Sequence, residues 1–121
     1  LSGMSIVLIA SIMSIIANPA LTAYCASKAA LVGGAKALAL ELANNKIKVN
    51  CVSPGYLEDT KMMTELDEIL SNQELDNLKK GYPLGLGSTN DITALCLFLL
   101  SDESKWITGQ NIIIDGGYSI K

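Results

Sequence analysis

Three side chains in this sequence could together polarise a carbonyl and pass it a proton. Tyr24 and Lys28 stand four residues apart at the start of an Ala-rich segment, and Ser11 lies thirteen residues before Tyr24. On a helix, positions i and i+4 share a face, which brings the Lys28 ammonium towards the Tyr24 phenol. A free tyrosine, with a pKa of about 10, is a poor base near neutrality. A positive charge beside a phenol favours the phenolate, and a group so tuned can both give and take a proton. Ser11, where an apolar strand gives way to a loop, can donate a hydrogen bond to the same carbonyl oxygen. Hydride-transfer chemistry at Ser11, Tyr24 and Lys28 is the reading. The plain alternative for the pair is an amphipathic residue at a helix start and a solvated lysine, because chance also supplies Tyr-x-x-x-Lys.

Placing these groups requires a particular order of elements. Residues 5–10 form a continuous apolar run with β-branched members, the pattern of a strand covered on both faces. A loop over residues 11–21 contains Asn18-Pro19, a turn signal. Residues 22–44 read as a helix rich in alanine, with Gly33-Gly34 at its middle and Asn44-Asn45 as its left-handed stop. Residues 47–52 read as a second strand, halted by Ser53-Pro54-Gly55. The polar stretch 58–80 reads as one or two amphipathic helical pieces with Leu66, Ile69 and Leu70 as a stripe, continued by Leu75 and Leu78. After a loop at 81–87, Thr89 is the expected cap of a helix over 90–100, with Asp91 in its first turn. Residues 111–114 read as a last strand, followed by Asp115-Gly116-Gly117.

Strands alternating with helices imply crossovers and a parallel sheet. The fold class is therefore α/β, a doubly wound parallel sheet of Rossmann-like type, of which three strands with crossover helices make only the second half. The first strand would sit at an open edge, an aggregation hazard. Ligands of such sheets gather beyond the carboxyl ends of the strands, where Ser11 and Pro54-Gly55 both fall.

Composition excludes other classes. Nine lysines, no arginine and twelve acids give a net charge of −3, which offers no footprint for nucleic acid or an anionic membrane. Cys25, Cys51 and Cys96 are widely spaced and there is no histidine, so no metal site is expected. Thiols without a framework suit a reducing compartment, and Cys25, despite adjoining Tyr24, reads as a small buried hydrophobe. The apolar run from residue 6 to 17 is too short to cross a bilayer and lacks the basic leader of a signal peptide, so the cytoplasm is the expected location.

Several stretches together resemble the carboxyl-terminal half of a short-chain dehydrogenase/reductase. They are Ile9-Ala10-Ser11, Tyr24-Cys25-Ala26-Ser27-Lys28-Ala29-Ala30, Val49-Asn50-Cys51-Val52-Ser53-Pro54-Gly55, Leu99-Leu100-Ser101-Asp102-Glu103, Ile107-Thr108-Gly109-Gln110 and Asp115-Gly116-Gly117. Their order and spacing fit over nearly the whole chain, most like the 3-oxoacyl carrier-protein reductases and the polyol and sugar dehydrogenases. The resemblance implies an NAD- or NADP-dependent oxidoreductase acting on a small carbonyl/alcohol substrate. Tyr24 would be the acid/base, Lys28 its charged neighbour and a ligand of the nicotinamide ribose, and Ser11 the group that orients the carbonyl. Pro54 and Gly55 would shape the wall by the nicotinamide, and the Leu57 backbone would meet its carboxamide. Asn50 would be structural, as would Asp115-Gly116-Gly117 near a subunit interface in a homo-oligomer, a dimer or tetramer.

Two departures accompany the resemblance. Asp59 stands where family members place a threonine, so Thr60 is either a cofactor contact or a helix N-cap. The glycine-rich pyrophosphate turn and a catalytic asparagine of the family belong to an amino-terminal half outside these 121 residues. The stretch 58–80 would act as a lid on the substrate. Two further readings stay open. One is a non-catalytic fragment or assembly module that cannot bind cofactor alone, and the other a small α/β regulatory domain.

Overall fold

The computed structural model describes residues 3–120. Strand β1 (Ser5–Ile9) leads through a short 3-10 turn (Ile12–Ser14) to helix α1 (Thr22–Leu42). Strand β2 (Lys48–Pro54) follows, then helices α2 (Lys61–Ile69), α3 (Asn72–Lys80) and α4 (Thr89–Leu100), and strand β3 (Asn111–Ile114). The strands pair in parallel in the order β1-β2-β3, with Leu8 opposite Cys51 and Val52 opposite Ile112. The α/β architecture and the parallel sheet agree with the sequence pattern.

Alternation along β2 assigns the two faces of the sheet. Val49 and Cys51 are fully buried against Ala35 and Ala39 of α1, and the Cys51 thiol donates to the Leu31 carbonyl. Lys48 points the other way. Its ammonium donates to the Leu99 and Ser101 carbonyls (3.0 and 2.7 Å) and to Ser104 Oγ (2.6 Å). Those carbonyls are the orphan acceptors at the end of α4, so one strand lysine closes that helix. Helices thus cover both faces, the arrangement a parallel sheet requires. Asn50 is buried and structural: its amide donates to the Ile107 carbonyl and its oxygen accepts from Gln110 N.

Several expected details change. β1 is half-exposed rather than covered, and Ile9 is exposed, because the strand has a partner on one side only among the described residues. The edge position expected of it holds. β2 runs two residues beyond the expected stop. β1 has ended by then, so Pro54, at the position that would face β1, has no ladder bond to lose, while Gly55 N donates to the Ile114 carbonyl on the other side. α1 ends at Leu42 and passes through a 3-10 turn, and the left-handed residue is Lys46 (φ 58°), not an asparagine.

The stretch 58–80 is two helices, broken at Leu70-Ser71, where Ser71 and Glu74 form a capping box. Met63 is the buried member of α2, and Leu66 and Leu70 are half-buried on the same face, whereas Ile69 is exposed. The N-cap of α4 is Ser88, not Thr89. Thr89 is the first helical residue, and its N–H and hydroxyl both donate to the Asp59 carboxylate (2.9 and 2.6 Å). The Asp91 carboxylate accepts from Ser88 N. Among the described residues no helix is long and apolar enough to cross a membrane.

Candidate active site

A cleft of about 280 Å³ opens beyond the carboxyl ends of β1 and β2. The register that pairs Ile9 with Val52 delivers Ser11 and Pro54-Gly55 to the same end of the sheet. The extended loop after Ser11 then returns the chain to the start of α1, which contributes Tyr24. Ser11, Tyr24, Pro54, Gly55, Leu57 and Thr60 all line this cleft, so six of the seven residues singled out in the sequence meet there.

Ser11 is buried in an extended conformation, and its Oγ accepts from Met13 N at 3.1 Å. That bond uses a lone pair and leaves the hydroxyl proton to donate. A polarising contact to a carbonyl is therefore available from a fixed position.

Lys28 is the seventh residue and stands outside the lining. Its Nζ lies 5.7 Å from the Tyr24 ring centroid, within the range at which an ammonium favours an aromatic face. It donates to the Ile9 carbonyl at 3.2 Å, which ties α1 to the end of β1. An ammonium has three donors, so two remain for other acceptors at the mouth of the cleft.

Thr60 adopts the N-cap role: its hydroxyl accepts from Met63 N (3.3 Å) and donates to the Leu57 carbonyl (2.9 Å). Both bonds hold the floor of the cleft in place. Cys25 is half-buried, with its thiol 3.9 Å from the Ile16 carbonyl, and does not line the cleft.

The wall formed by residues 54–57 is fixed from behind. Tyr82 is buried, and its hydroxyl accepts from Tyr56 N at 3.0 Å. Its ring stacks on Tyr118 with centroids 4.5 Å apart and meets the Tyr56 ring edge-on at 6.3 Å. Gly55 cannot carry a side chain here, since a Cβ would fall 2.8 Å from Tyr82 Cε1 and 3.0 Å from Asp115 Cβ. Gly87 completes the brace: its carbonyl accepts from Glu58 N at 2.9 Å.

Tyr56 is a cleft residue that the motif reasoning passed over, together with Ile12, Met13, Leu21 and Met62. Its place directly after Pro54-Gly55 was the available signal. Burial raises the Tyr56 phenol above its ordinary pKa, and Tyr118 and Tyr24 add to the rise. Burial likewise pushes Tyr82 up to about 12. Both phenols stay protonated at neutral pH.

Known proteins of matching sequence and shape share this arrangement of elements. The family model described as enoyl-(acyl carrier protein) reductase matches residues 2–119. The 3-oxoacyl-(acyl-carrier-protein) reductase of Chlamydia trachomatis is 42% identical over 93% of this chain and 44% of its own length. The NAD-dependent glycerol dehydrogenase of Listeria innocua is 45% identical over 98% of this chain and 46% of its own. A short-chain dehydrogenase family protein from Francisella tularensis superposes with a TM-score of 0.88 at 38% identity, covering 98% of this chain and 52% of that one. A 4-hydroxyisoleucine dehydrogenase complexed with NADH superposes with a TM-score of 0.85 at 35% identity, over 97% of this chain and 47% of that one. The chain spans about half the length of the curated relatives it matches. By sequence and by fold it belongs to the short-chain dehydrogenase/reductase family.

Proposed function

We propose that this chain is the carboxyl-terminal half of a single Rossmann-like domain and that the whole domain transfers hydride between NAD or NADP and a small carbonyl/alcohol substrate. The observation that carries the proposal is the meeting of Ser11, Tyr24 and the Pro54–Leu57 wall in one cleft, with the Lys28 ammonium over the Tyr24 ring.

The residues present fit the nicotinamide end of such a cofactor. The wall is apolar, and the spare donors of Lys28 suit ribose hydroxyls. Among the described residues the pyrophosphate end has no match: Gly33-Gly34 lies within α1, and residues 81–87 follow a helix rather than a strand. When bound, the cofactor would supply or accept the hydride.

The chain's own residues handle the oxygen. Ser11 donates its hydroxyl proton in a hydrogen bond to the substrate carbonyl and holds it in the cleft. Tyr24 gives its phenolic proton to that oxygen as negative charge develops, and Lys28 stabilises the phenolate left behind. In the alcohol-to-carbonyl direction the same proton returns to Tyr24. Met62, at the start of α2, lines the cleft, which supports α2 and α3 as a lid that excludes water.

A homo-oligomer is supported by the exposed small residues of α1. Ala26, Ala30, Gly33 and Ala37 are exposed on its outer face, where a second copy could approach closely. The same surface favours the competing reading of the isolated chain as a non-catalytic assembly module. The two separate on cofactor titration. The full-length protein should consume NADH or NADPH at 340 nm (about) on addition of a ketone, whereas the isolated chain should show no saturable binding of either. Saturable binding by the isolated chain would contradict the division of labour between halves, and absence of ketone-dependent oxidation in the full-length protein would contradict the reaction.

A further inference from the structure

Beside the reaction cleft lies a second one of about 290 Å³, lined by Leu84, Gly85, Gly87, Asp91, Ile114 and Asp115 among others. Tyr56 and Leu57 line both and form the wall between them. We propose that Tyr56 is the specificity-determining residue that sets substrate length, its ring closing the reaction cleft against the second cleft. This rests on the reading of the reaction given above, and it adds which substrates the site accepts.

The two compartments differ in chemistry. On the reaction side the wall is made of Ile12, Met13, Leu21 and Met62 with no charged side chain in the lining. A carbonyl held at Ser11 and Tyr24 therefore extends an apolar arm, and that arm meets the Tyr56 ring. Beyond the ring stand the carboxylates of Asp91 and Asp115. Burial alone would raise Asp115, but hydrogen bonds from Ser119 N (2.8 Å) and Gly117 N (3.1 Å) outweigh it and keep the group ionised at neutral pH.

The ring does not swing freely as a gate would. Its backbone N–H is bound by Tyr82 and its ring makes an edge-to-face contact with the Tyr82 ring, itself stacked on Tyr118. The backbone bond is kept by Tyr56→Phe and Tyr56→Ala, since only the N–H takes part. Removal of the side chain would therefore join the two clefts, of about 280 and 290 Å³, and open the way to the two carboxylates, at the loss of the ring contact with Tyr82.

The wild-type site therefore takes short aliphatic ketones, and a shortened side chain at position 56 admits longer ones, especially those ending in an ammonium. The experiment compares the full-length wild type, Tyr56→Phe and Tyr56→Ala across a series of 2-alkanones and the matching ω-amino ketones. In the wild type, kcat/KM should rise by about fourfold per added methylene, from about 0.8 kcal/mol for each buried CH₂, and then fall once the arm reaches the ring. Tyr56→Phe should keep that optimum. Tyr56→Ala should move it outward by about two carbons or more and favour the ω-amino ketone over its methyl counterpart by about tenfold.

The same optimum in all three proteins would overturn the proposal. If none of the proteins reduces any ketone, the reaction is wrong, and calorimetric binding of the same series decides the partition separately. A length cut-off in binding that Tyr56→Ala relieves then supports it. No cut-off, or no binding, overturns it.

Discussion

Tyr82→Phe removes a single oxygen atom from behind the cleft wall, and its consequences can be worked out from the geometry. The ring remains, so the stack on Tyr118 and the edge contact with Tyr56 persist. The loss is the acceptor for Tyr56 N–H, bonded at 3.0 Å to the hydroxyl of a residue only 4% exposed. A neutral hydrogen bond contributes about 0.5–1.5 kcal/mol, and a buried donor left unpaired costs about 1–3 kcal/mol. Tyr56 is half-buried and water can partly replace the lost partner, so a cost of about 1–2 kcal/mol at pH 7 is expected.

The variant also changes the pH dependence. Burial lifts the Tyr82 pKa from 10.0 to about 12 in the folded state. A raised folded pKa means stability that is fully present below pH 10 and lost as pH rises through about 12. Phenylalanine cannot ionise, so the variant should lose less stability than the wild type across that window. Urea unfolding of the full-length protein at pH 7 and through the alkaline range measures both effects. Function supplies a third readout: the loosened wall should raise the apparent KM for NADH or NADPH more than it lowers kcat. A variant within about 0.3 kcal/mol of wild type at pH 7, with the same alkaline profile and the same cofactor KM, would refute the reasoning.

Two other substitutions probe separate parts of the account. Gly55→Ala places a Cβ 2.8 Å from a buried Tyr82 ring carbon and 3.0 Å from Asp115 Cβ, so the wall must shift. A fall of about tenfold or more in kcat/KM is expected, and unchanged kinetics would show that the wall position is irrelevant. Asn50→Leu leaves the Ile107 carbonyl and Gln110 N–H without their partners in a fully buried strand. That should lower the free energy of unfolding by about 2–4 kcal/mol, read as a shift of the urea midpoint at constant slope.

What could be read in advance divides along physical lines. The parallel sheet followed from three apolar runs separated by helical stretches, because that periodicity reports burial directly. Ser11, Tyr24 and Pro54-Gly55 met in one cleft because strand ends in a parallel sheet converge by topology, which local pattern already implies. Features that depend on tertiary partners were not legible. Ser53-Pro54 looked like a strand stop, yet β3 continues the ladder past the point where β1 ends. Thr89 looked like a helix cap, yet Asp59, thirty residues earlier, receives its hydroxyl while Ser88 takes the cap position. Ile69, expected in the apolar stripe, is exposed while Met63 is buried, because the phase of a nine-residue helix is fixed by what it packs on. Tyr82 carried no motif at all; its role comes from a contact with Tyr56 across 26 positions.

The account rests most directly on Tyr24 as the group that exchanges a proton with the substrate oxygen. The decisive measurement is the single-turnover rate of hydride transfer in the full-length protein and in Tyr24→Phe, with cofactor and ketone both saturating. Phenylalanine keeps the ring under the Lys28 ammonium and removes only the hydroxyl that carries the acidic proton. A loss of about 100-fold to 10,000-fold is predicted, the usual contribution of a positioned acid/base, with cofactor affinity little changed. Retention of near-wild-type hydride transfer by Tyr24→Phe would contradict the assignment.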